Sequence, residues 1–418
     1  MVMSLKKQLK KFKFLIKVKR YLFQKAYDFC WQINDKVLLH LPFSAKYIGG
    51  LKHELWGAHL VKEYVEKEAG KGENIAFWTL HEGKISISNP KYVVGNPAKG
   101  AEVGARTADT ARHVVKLPFG RVYEEGCAVV TKSDILLKPY SHAYGSSAKV
   151  HPLFSRLFLP RTKFLKGKTL LLKGGSGYYH NIVDSVTTLS LMEDIQLSVN
   201  DFDYFIFLKI EEDIFKNIFE KFGIKRSACI SFDARNRAFE CEELYASTYN
   251  WNGNWFKDFI QDKVKNYLPV HSTKLYPEKI YVSRENAKMR RVVNETQLVE
   301  KLAEYGFVKI LNEDYTFEEQ TMLYKNARYI ISTHGANLTN VIFCDSGAKV
   351  CEIRFHKHFR YFKGTYYELA DAHQLEYYLL YSSEFAMSEM WEGDDEVDIV
   401  VNLQDLQKVL EAMGLASP

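Results

Sequence analysis

Three short segments of this sequence combine residue types that could bind a phosphate group or move a proton. The first contains Ser283 and Arg284, followed by Arg290, Arg291 and Asn294. Guanidinium groups at the edge of a cleft can hold phosphate oxygens through paired hydrogen bonds. The segment therefore predicts a phosphate site, although three arginines on a solvated loop would give the same pattern.

The second segment follows an apolar run and reads Ser-Thr-His-Gly-Ala-Asn over residues 332–337. Backbone N–H groups at the start of a helix after Ala336 and Asn337 would form an anion site, helped by the helix dipole. Gly335 would let a ligand approach the backbone, and His334 could add one more donor. The alternative is that His334 caps a helix and Gly335 makes a turn.

The third segment places His180 and Asp184 four residues apart, on one face of a predicted helix. A carboxylate beside an imidazole predicts a general base with its orienting partner. A surface ion pair or a helix-terminal charge explains the spacing equally well. The glycine loop at 174–177 adds little, because it lacks the spacing of a dinucleotide or P-loop motif.

The elements around these segments predict two α/β units in series. Residues 74–160 alternate β-rich pieces with Gly and Pro turns, and residues 168–250 read strand, helix, strand. A second alternation follows residue 273, with strands near 280–283, 308–311, 329–332, 350–353 and 377–380. Such patterns favour parallel sheets, whose ligands bind beyond the carboxyl ends of the strands, here in a cleft between the units.

Two capping patterns place helices in the second unit. Asn294 with Gln297, and Thr316 with Glu319, each pair a polar residue with Glu or Gln three positions later. This spacing is typical of a capping box at a helix N-terminus.

Charge and composition exclude several classes of protein. The 418 residues are 46% hydrophobic and carry a net charge of +6, yet residues 1–25 alone hold nine Lys or Arg and no acid. The body of the chain is therefore not basic, which argues against nucleic-acid binding. Six dispersed cysteines, no apolar run long enough to span a bilayer and no clean signal peptide predict a cytoplasmic location.

Residues 1–30 predict a basic amphipathic helix. Leu5, Leu9, Phe12 and Ile16 share one face, with lysines around it. Such a helix suits an anionic membrane surface, but it could equally pack on the protein. Pelleting with anionic vesicles, before and after deletion of residues 1–25, separates these alternatives.

Acidic residues elsewhere predict no metal site. Asp201 and Asp203 have the D-x-D form but precede a strand, so they predict turn residues. The run at 394–396 together with Asp398 predicts a solvated loop. Because there is no His/Cys cluster, no metal cofactor is expected. Arginines and a helix dipole would then have to neutralise the charge of a phosphate group.

Taken together, the segments resemble glycosyltransferase family 61. The resemblance rests on residues 281–295, on 179–184, on 317–320 and on 332–340 with 350–353, and it covers roughly residues 120–355. It implies a GT-B fold, in which two Rossmann-like domains face a cleft. It also implies a nucleotide-sugar donor, expected to be UDP-linked, no metal, and inversion at the anomeric carbon.

The resemblance also assigns roles. Arg284 together with Arg290, for which Arg291 could substitute, would hold the diphosphate, and residues 334–337 would face the same group. Asp184 or His180 would lie on the acceptor side. Further donor-side residues would be Ser283, Asn294, Glu319 and Glu352.

The resulting prediction is an inverting glycosyltransferase that acts on a hydroxyl of a surface or capsular glycan, free or lipid-linked. Residues 31–272 would form the acceptor-side domain and residues 273–418 the nucleotide-sugar domain. The alternatives are a noncatalytic glycan- or nucleotide-binding subunit of a polysaccharide assembly complex, and a pyruvyl transferase on the same two-domain plan.

Overall fold

The computed structural model describes most of the chain between residues 53 and 416. The described residues are 53–55, 57–97, 104–141, 153, 159–173, 177–233, 235–248, 274–357, 365–388 and 397–416. Three predicted features lie outside them: the basic helix of residues 1–30, the glycines 174–176 and the domain boundary at 272–273.

Nineteen strands are present in the described residues. In chain order they are β1 (His53–Leu55), β2 (Ala76–Leu80), β3 (Lys84–Ile87), β4 (Tyr92–Val94), β5 (Arg106–Asp109), β6 (Arg112–Tyr123), β7 (Ala128–Val130), β8 (Ile135–Leu137), β9 (Lys163–Lys173), β10 (Tyr204–Phe207), β11 (Cys229–Ser231), β12 (Ala238–Ser247), β13 (Lys279–Val282), β14 (Val308–Ile310), β15 (Tyr329–Thr333), β16 (Lys349–Phe355), β17 (Glu376–Ser382), β18 (Phe385–Ala386) and β19 (Asp398–Ile399).

The helices lie mainly between strands of the parallel regions. They are α1 (Ala58–Ala69), α2 (Tyr178–His180), α3 (Thr187–Asp194), α4 (Glu212–Ile214), α5 (Glu295–Glu304), α6 (Phe317–Asn326), α7 (Thr365–Ala372) and α8 (Leu403–Ala412). A π-helical segment, Asn181–Val186, joins α2 to α3, and another, Phe215–Phe219, extends α4. Short 3-10 helices occupy Glu125–Cys127, Lys138–Tyr140, Val199–Asp201, Arg226–Ala228, Asn312–Asp314 and Ala336–Phe343.

The larger, first sheet has nine strands in the described part of the chain. Its order is β1-β8-β7-β6-β12-β9-β10-β11, with β2 paired to β6. Strands β12, β9, β10 and β11 run parallel, whereas β6 is antiparallel to β12. The sheet therefore joins the β-rich segment predicted for residues 74–160 to the Rossmann-like segment that follows it.

The second sheet is parallel throughout, in the order β14-β13-β15-β16-β17-β4. The five strands predicted after residue 273 are all present. Its edge strand β4 comes from the amino-terminal part of the chain, where no periodicity distinguishes it from the strands around it.

Both sheets contribute to one apolar core. Leu170 and Phe205 of the first sheet belong to the same buried cluster as Ile330 and Val350 of the second. The opposite face of the second sheet packs Ile331 and its neighbours against α8 in a separate cluster. Because successive side chains of a strand point to opposite faces, a strand buried on both faces reads as a continuous apolar run.

The predicted capping patterns have different outcomes. The Thr316–Glu319 capping box forms at the start of α6, with both reciprocal hydrogen bonds present. A helix does begin directly after Asn294, as predicted, but the capping box with Gln297 does not form, because the Asn294 side chain makes no cap hydrogen bond. It instead pairs with the backbone of Val401, donating to the carbonyl and accepting from the N–H, each at 2.9 Å.

The D-x-D aspartates are turn residues, as predicted. Asp201 closes a capping box with Ser198, and the carboxylate of Asp203 accepts a hydrogen bond from the backbone N–H of Lys168. No helix within the described ranges is both long and apolar enough to cross a bilayer.

We expect Asn294→Ala to lower the free energy of unfolding by about 1–3 kcal/mol, because the part-buried backbone groups of Val401 lose both partners. Gln297→Ala, at an exposed position of the same helix, is the matched control and should change stability by less than about 0.5 kcal/mol. Urea denaturation measures both. Equal losses would restore the capping-box interpretation.

Candidate functional site

Two of the three chemical segments meet at the carboxyl edge of the second sheet. Arg284 follows β13, and Gly335 lies two residues beyond β15, the neighbouring strand. The backbone of Gly335 packs directly against the Arg284 guanidinium, and a Cβ at position 335 would overlap it. A side chain at position 335 would displace the Arg284 guanidinium, so the arginine segment and the His-Gly-Ala-Asn segment form one site.

Aromatic rings connect the third segment to this site. Tyr179, beside His180 in α2, packs edge-on against Tyr366 of α7 with ring centroids 5.7 Å apart. The Tyr366 ring in turn lies 4.9 Å from the His334 ring. The histidine of the first unit and the histidine of the second are therefore separated by two tyrosines that pack edge-on.

His334 belongs to a buried polar network around Glu352. Its Nδ1 contacts Glu352 Oε1, while Arg354 Nε lies 2.9 Å from Oε2 and the Tyr377 hydroxyl donates to Oε2 at 2.7 Å. Glu352 and Arg354 have no solvent exposure. A buried charge is tolerated when it is paired and hydrogen-bonded, as the carboxylate is here.

The network lowers the pKa of both titrating groups, for different reasons. Despite burial, the Arg354 guanidinium and the His334 contact hold the pKa of Glu352 well below its ordinary value. Burial, together with the positive charges of Arg354 and Arg290, lowers the pKa of His334 to about 4. At neutral pH, Glu352 is ionised and His334 is uncharged.

His180 and Asp184 form the predicted pair, with Nδ1 of the histidine 2.8 Å from Oδ2 of the aspartate. Asp184 is buried, which raises its pKa. Lys173, at the end of β9, is also buried, and burial lowers its pKa to about 7. Its ammonium donates a hydrogen bond to the carbonyl of Ser247. Its positive charge lowers the pKa of Asp184, which partly offsets the effect of burial.

The arginines occupy different environments. Burial first, and then the neighbouring Arg290, lower the pKa of Arg284 to about 10. Arg290 has a left-handed backbone (φ 60°), and its carbonyl accepts a hydrogen bond from Thr333. A non-glycine residue in this conformation is strained, and such strain concentrates at functional sites. The two guanidiniums are close enough to repel one another, as expected where an anion is to be bound.

Four predicted donor-side residues make structural contacts. Arg291 pairs with Asp398 through its backbone N–H, Nε and Nη2 at 2.9–3.0 Å, so Asp398 is a buried partner and its assignment to a solvated loop is wrong. The hydroxyl of Ser283 donates to Glu295, and Glu319 caps α6. Asn294 is held by Val401, as described above. Residues 394–396 lie outside the described chain.

A cavity of about 290 Å³ lies beside the cluster, between the two units. Tyr178 and Asn217 line it from the first unit. Several amides and a carboxylate line it from the second: Asn312, Glu313, Gln320, Asn337 and Asn340. Phe317 and Ala336 add apolar surface. Within the described structure, the Tyr178 hydroxyl and Asn337 Oδ1 are buried atoms without a hydrogen-bond partner, so the wall offers polar groups to a ligand.

Sequence reasoning missed several members of this site. Arg354 could have been found from the sequence, because it lies two residues after Glu352 in a largely apolar strand. This spacing places both charges on one face of the strand. No pattern in the sequence identifies Tyr366 or the residues that line the cavity. Their roles depend on which helices and strands pack together in the folded protein.

No group of three or more His, Cys, Asp or Glu side chains in the described ranges is arranged to hold a metal ion. The five described cysteines are buried free thiols.

Comparison with known proteins is consistent with this geometry. Residues 178–351 match the family described as Glycosyltransferase 61. Protein O-linked-mannose beta-1,4-N-acetylglucosaminyltransferase 2 of Mus musculus and that of Homo sapiens are each 28% identical to this chain over 105 residues. The alignment covers 24% of this chain and 18% of each relative. Residues 178–351 are therefore similar to the glycosyltransferase 61 family, and this similarity favours a glycosyltransferase over the noncatalytic binding subunit.

The uncharged state of His334 predicts a pH-dependent stability. Its pKa is lower in the folded protein than in the unfolded chain, so its stabilising contribution is complete above about pH 6.5 and is lost as the pH falls towards 4. We expect the melting temperature to fall by several degrees between about pH 7 and 4.5, and to fall less in His334→Asn. Identical pH slopes for the two proteins would contradict this.

Proposed function

We propose that this glycosyltransferase transfers a sugar from a nucleoside diphosphate sugar to a hydroxyl of a glycan acceptor, with inversion at the anomeric carbon. The observation that carries the proposal is the packing of Arg284 on Gly335 beside a polar cavity between the two units. It brings guanidiniums, backbone donors and a ligand-sized space together at the carboxyl ends of parallel strands, where such sheets bind ligands. This arrangement supports a GT-B-like plan.

The diphosphate would lie against Arg284, Arg290 and the backbone N–H groups after Gly335. The leaving diphosphate gains negative charge in the transition state, and fixed donors in a desolvated site stabilise that charge strongly. The nucleoside would occupy the adjacent cavity, where Phe317 offers an aromatic surface and the amides offer hydrogen bonds. In this scheme arginine and backbone groups supply the positive potential, and we propose that no metal cofactor is required.

The base that removes the acceptor proton would come from the His180–Asp184 pair. Nδ1 of His180 is held by the carboxylate, which orients the ring as a base requires. The burial that raises the pKa of Asp184 also brings the carboxylate closer to a proton-accepting role of its own. Both residues therefore stand as candidates, with the histidine the more accessible of the two.

The relatives' names suggest where to begin the search for substrates. They are N-acetylglucosaminyltransferases that act on O-linked mannose, so UDP-N-acetylglucosamine leads the donor panel, followed by other UDP, GDP and CMP sugars. For the acceptor we propose a surface or capsular glycan, free or lipid-linked. Slow hydrolysis of a single donor without acceptor would identify that donor. Transfer of the pyruvyl group of phosphoenolpyruvate to the acceptor, with release of inorganic phosphate, would instead mark a pyruvyl transferase.

We expect Arg284→Ala to lower the transfer rate about 10²–10³-fold, the usual cost of removing one transition-state donor. Arg284→Lys should recover only part of this loss, because an ammonium lacks the planar fork. Arg235, exposed in a loop of the first unit, supplies the control Arg235→Ala, which should leave the rate unchanged. Initial rates and melting curves decide. A large fall in melting temperature without a specific loss of transfer would make Arg284 structural.

We expect Asp184→Asn to lower kcat by about 10²-fold or more while leaving the KM for the donor unchanged. The chain offers a close control, because His81 and Asp194 form a second His–Asp pair at the same 2.8 Å separation but exposed to solvent. Asp194→Asn should leave kcat unchanged. Retention of most activity in Asp184→Asn would exclude the carboxylate and move the assignment to His180 or another base.

A further inference from the structure

Lys173 carries an ammonium group deep inside the first unit, close to the His180–Asp184 pair. It is the last residue of β9 and is only 4% exposed. Its backbone is left-handed, with φ 62°, a conformation that is uncommon outside glycine and that concentrates at functional sites. Moving an ammonium group out of water is costly. The position of Lys173 therefore points to a role for its charge.

A chain of hydrogen bonds connects Lys173 to Asp184. The Lys173 ammonium donates to the carbonyl of Ser247, at the end of the neighbouring strand β12. The Ser247 and Thr188 hydroxyls are paired at 3.0 Å, and the Thr188 hydroxyl donates to the carbonyl of Asp184 at 2.8 Å. All four residues are buried, so the chain of bonds lies away from solvent.

Ser185, the residue after Asp184, makes a second connection. Its hydroxyl donates to the carbonyl of Leu172, the residue before Lys173, at 2.8 Å. Ser185 has no solvent exposure, so water does not compete for this bond. The two connections hold the end of β9 against the π-helical segment that carries Asp184. The ammonium and the carboxylate are consequently near enough for each charge to act on the other.

The charges around these two groups favour their mutual attraction. Among the described residues, Asp184 from the π-helical segment and Cys127 from the short helix before β7 act on Lys173. Burial raises the pKa of the Cys127 thiol to about 12, so the thiol is uncharged at neutral pH. His180 and Lys173 act on Asp184, and both oppose the effect of burial on its pKa. Lys173 and Asp184 therefore form a coupled pair of opposite charges.

We propose that Lys173 is a positioning residue for the proton-accepting pair, and that its ammonium keeps the Asp184 carboxylate ionised inside the protein. The assignment rests on the proposed function, in which His180 or Asp184 removes the acceptor proton. Both versions need an ionised carboxylate. As the base, Asp184 must be free of a proton, and as the partner of His180 it must accept a hydrogen bond from the ring. Lys173 acts through Asp184, because its burial keeps it away from the substrate.

The pH dependence of transfer in Lys173→Met tests this role. Methionine has a similar length but no charge, so the His180–Asp184 pair should bind a proton more readily and the acid limb of the rate profile should move to higher pH. Relative to wild type at the same pH, we expect kcat/KM to fall about threefold or more at pH 5.5 and less than about twofold at pH 8.

Lys279→Met is the matched control. The Lys279 ammonium also donates to a backbone carbonyl, that of Tyr305 at 2.8 Å, but it lies at the amino end of β13, away from the ligand edge of its sheet. This variant should keep the wild-type ratio of rates at the two pH values. Losses of equal size at both pH values in Lys173→Met would make Lys173 a structural residue. That result, or no loss at either pH, would overturn the proposal.

A second measurement does not depend on the folding of Lys173→Met. Coupling between two sites is reciprocal, so removing the charge of Asp184 must also lower the pKa of Lys173. In protein labelled with ¹⁵N at lysine Nζ, the titration midpoint of Lys173 should lie at lower pH in Asp184→Asn than in wild type. The pKa of Lys173, which burial lowers to about 7, separates its resonance from those of exposed lysines. An unchanged midpoint would contradict the coupling and the role built on it.

The outcomes also separate this proposal from the proposed function. If wild type transfers no sugar, the proposed function fails, whereas the lysine titration still decides whether Lys173 and Asp184 are coupled. If wild type transfers sugar and Asp184→Asn lowers kcat, but Lys173→Met has the pH profile of wild type, only the role of Lys173 fails.

Discussion

A carboxylate with no access to water, Glu352, organises the centre of this protein. A buried charge of this kind is stable only if its lone pairs are satisfied, and here Arg354, Tyr377 and His334 satisfy them. These partners come from β16, from β17 and from the end of β15. The requirement to pair one anion therefore fixes the relative positions of three neighbouring strands at the edge where the ligand groups collect.

The same constraint reaches the other half of the molecule through aromatic packing. Tyr366 touches the His334 ring and also Tyr179, which precedes His180. Both units also share one apolar core. The separation between the arginine-lined edge and the His–Asp pair is thus set by packed rings, which resist compression because protein interiors are close-packed. A site built this way is largely preformed before any substrate arrives.

Contacts within one helical turn could be predicted from the sequence, whereas contacts between distant residues could not. Thr316 and Glu319 satisfy each other within one helical turn, so spacing alone predicted their capping box. Asn294 has the same pattern, but its side chain makes two hydrogen bonds to the backbone of Val401, which is distant in sequence, and none to its own helix. The sequence predicts that Asp398 belongs to a solvated acidic loop, whereas in the structure it is buried and forms an ion pair with Arg291.

The sequence by itself determined the parallel α/β architecture, the positions of the strands after residue 273 along the chain and the residue types that gather at their ends. These follow from periodicity and from capping, which act over a few residues. Only the tertiary structure decided that Arg284 lies on Gly335, that Tyr366 packs between His334 and Tyr179, and that His334 faces Glu352 as a neutral ring. Each of these contacts joins groups that are far apart in the chain. The groups approach one another and lose water only after the sheets have packed.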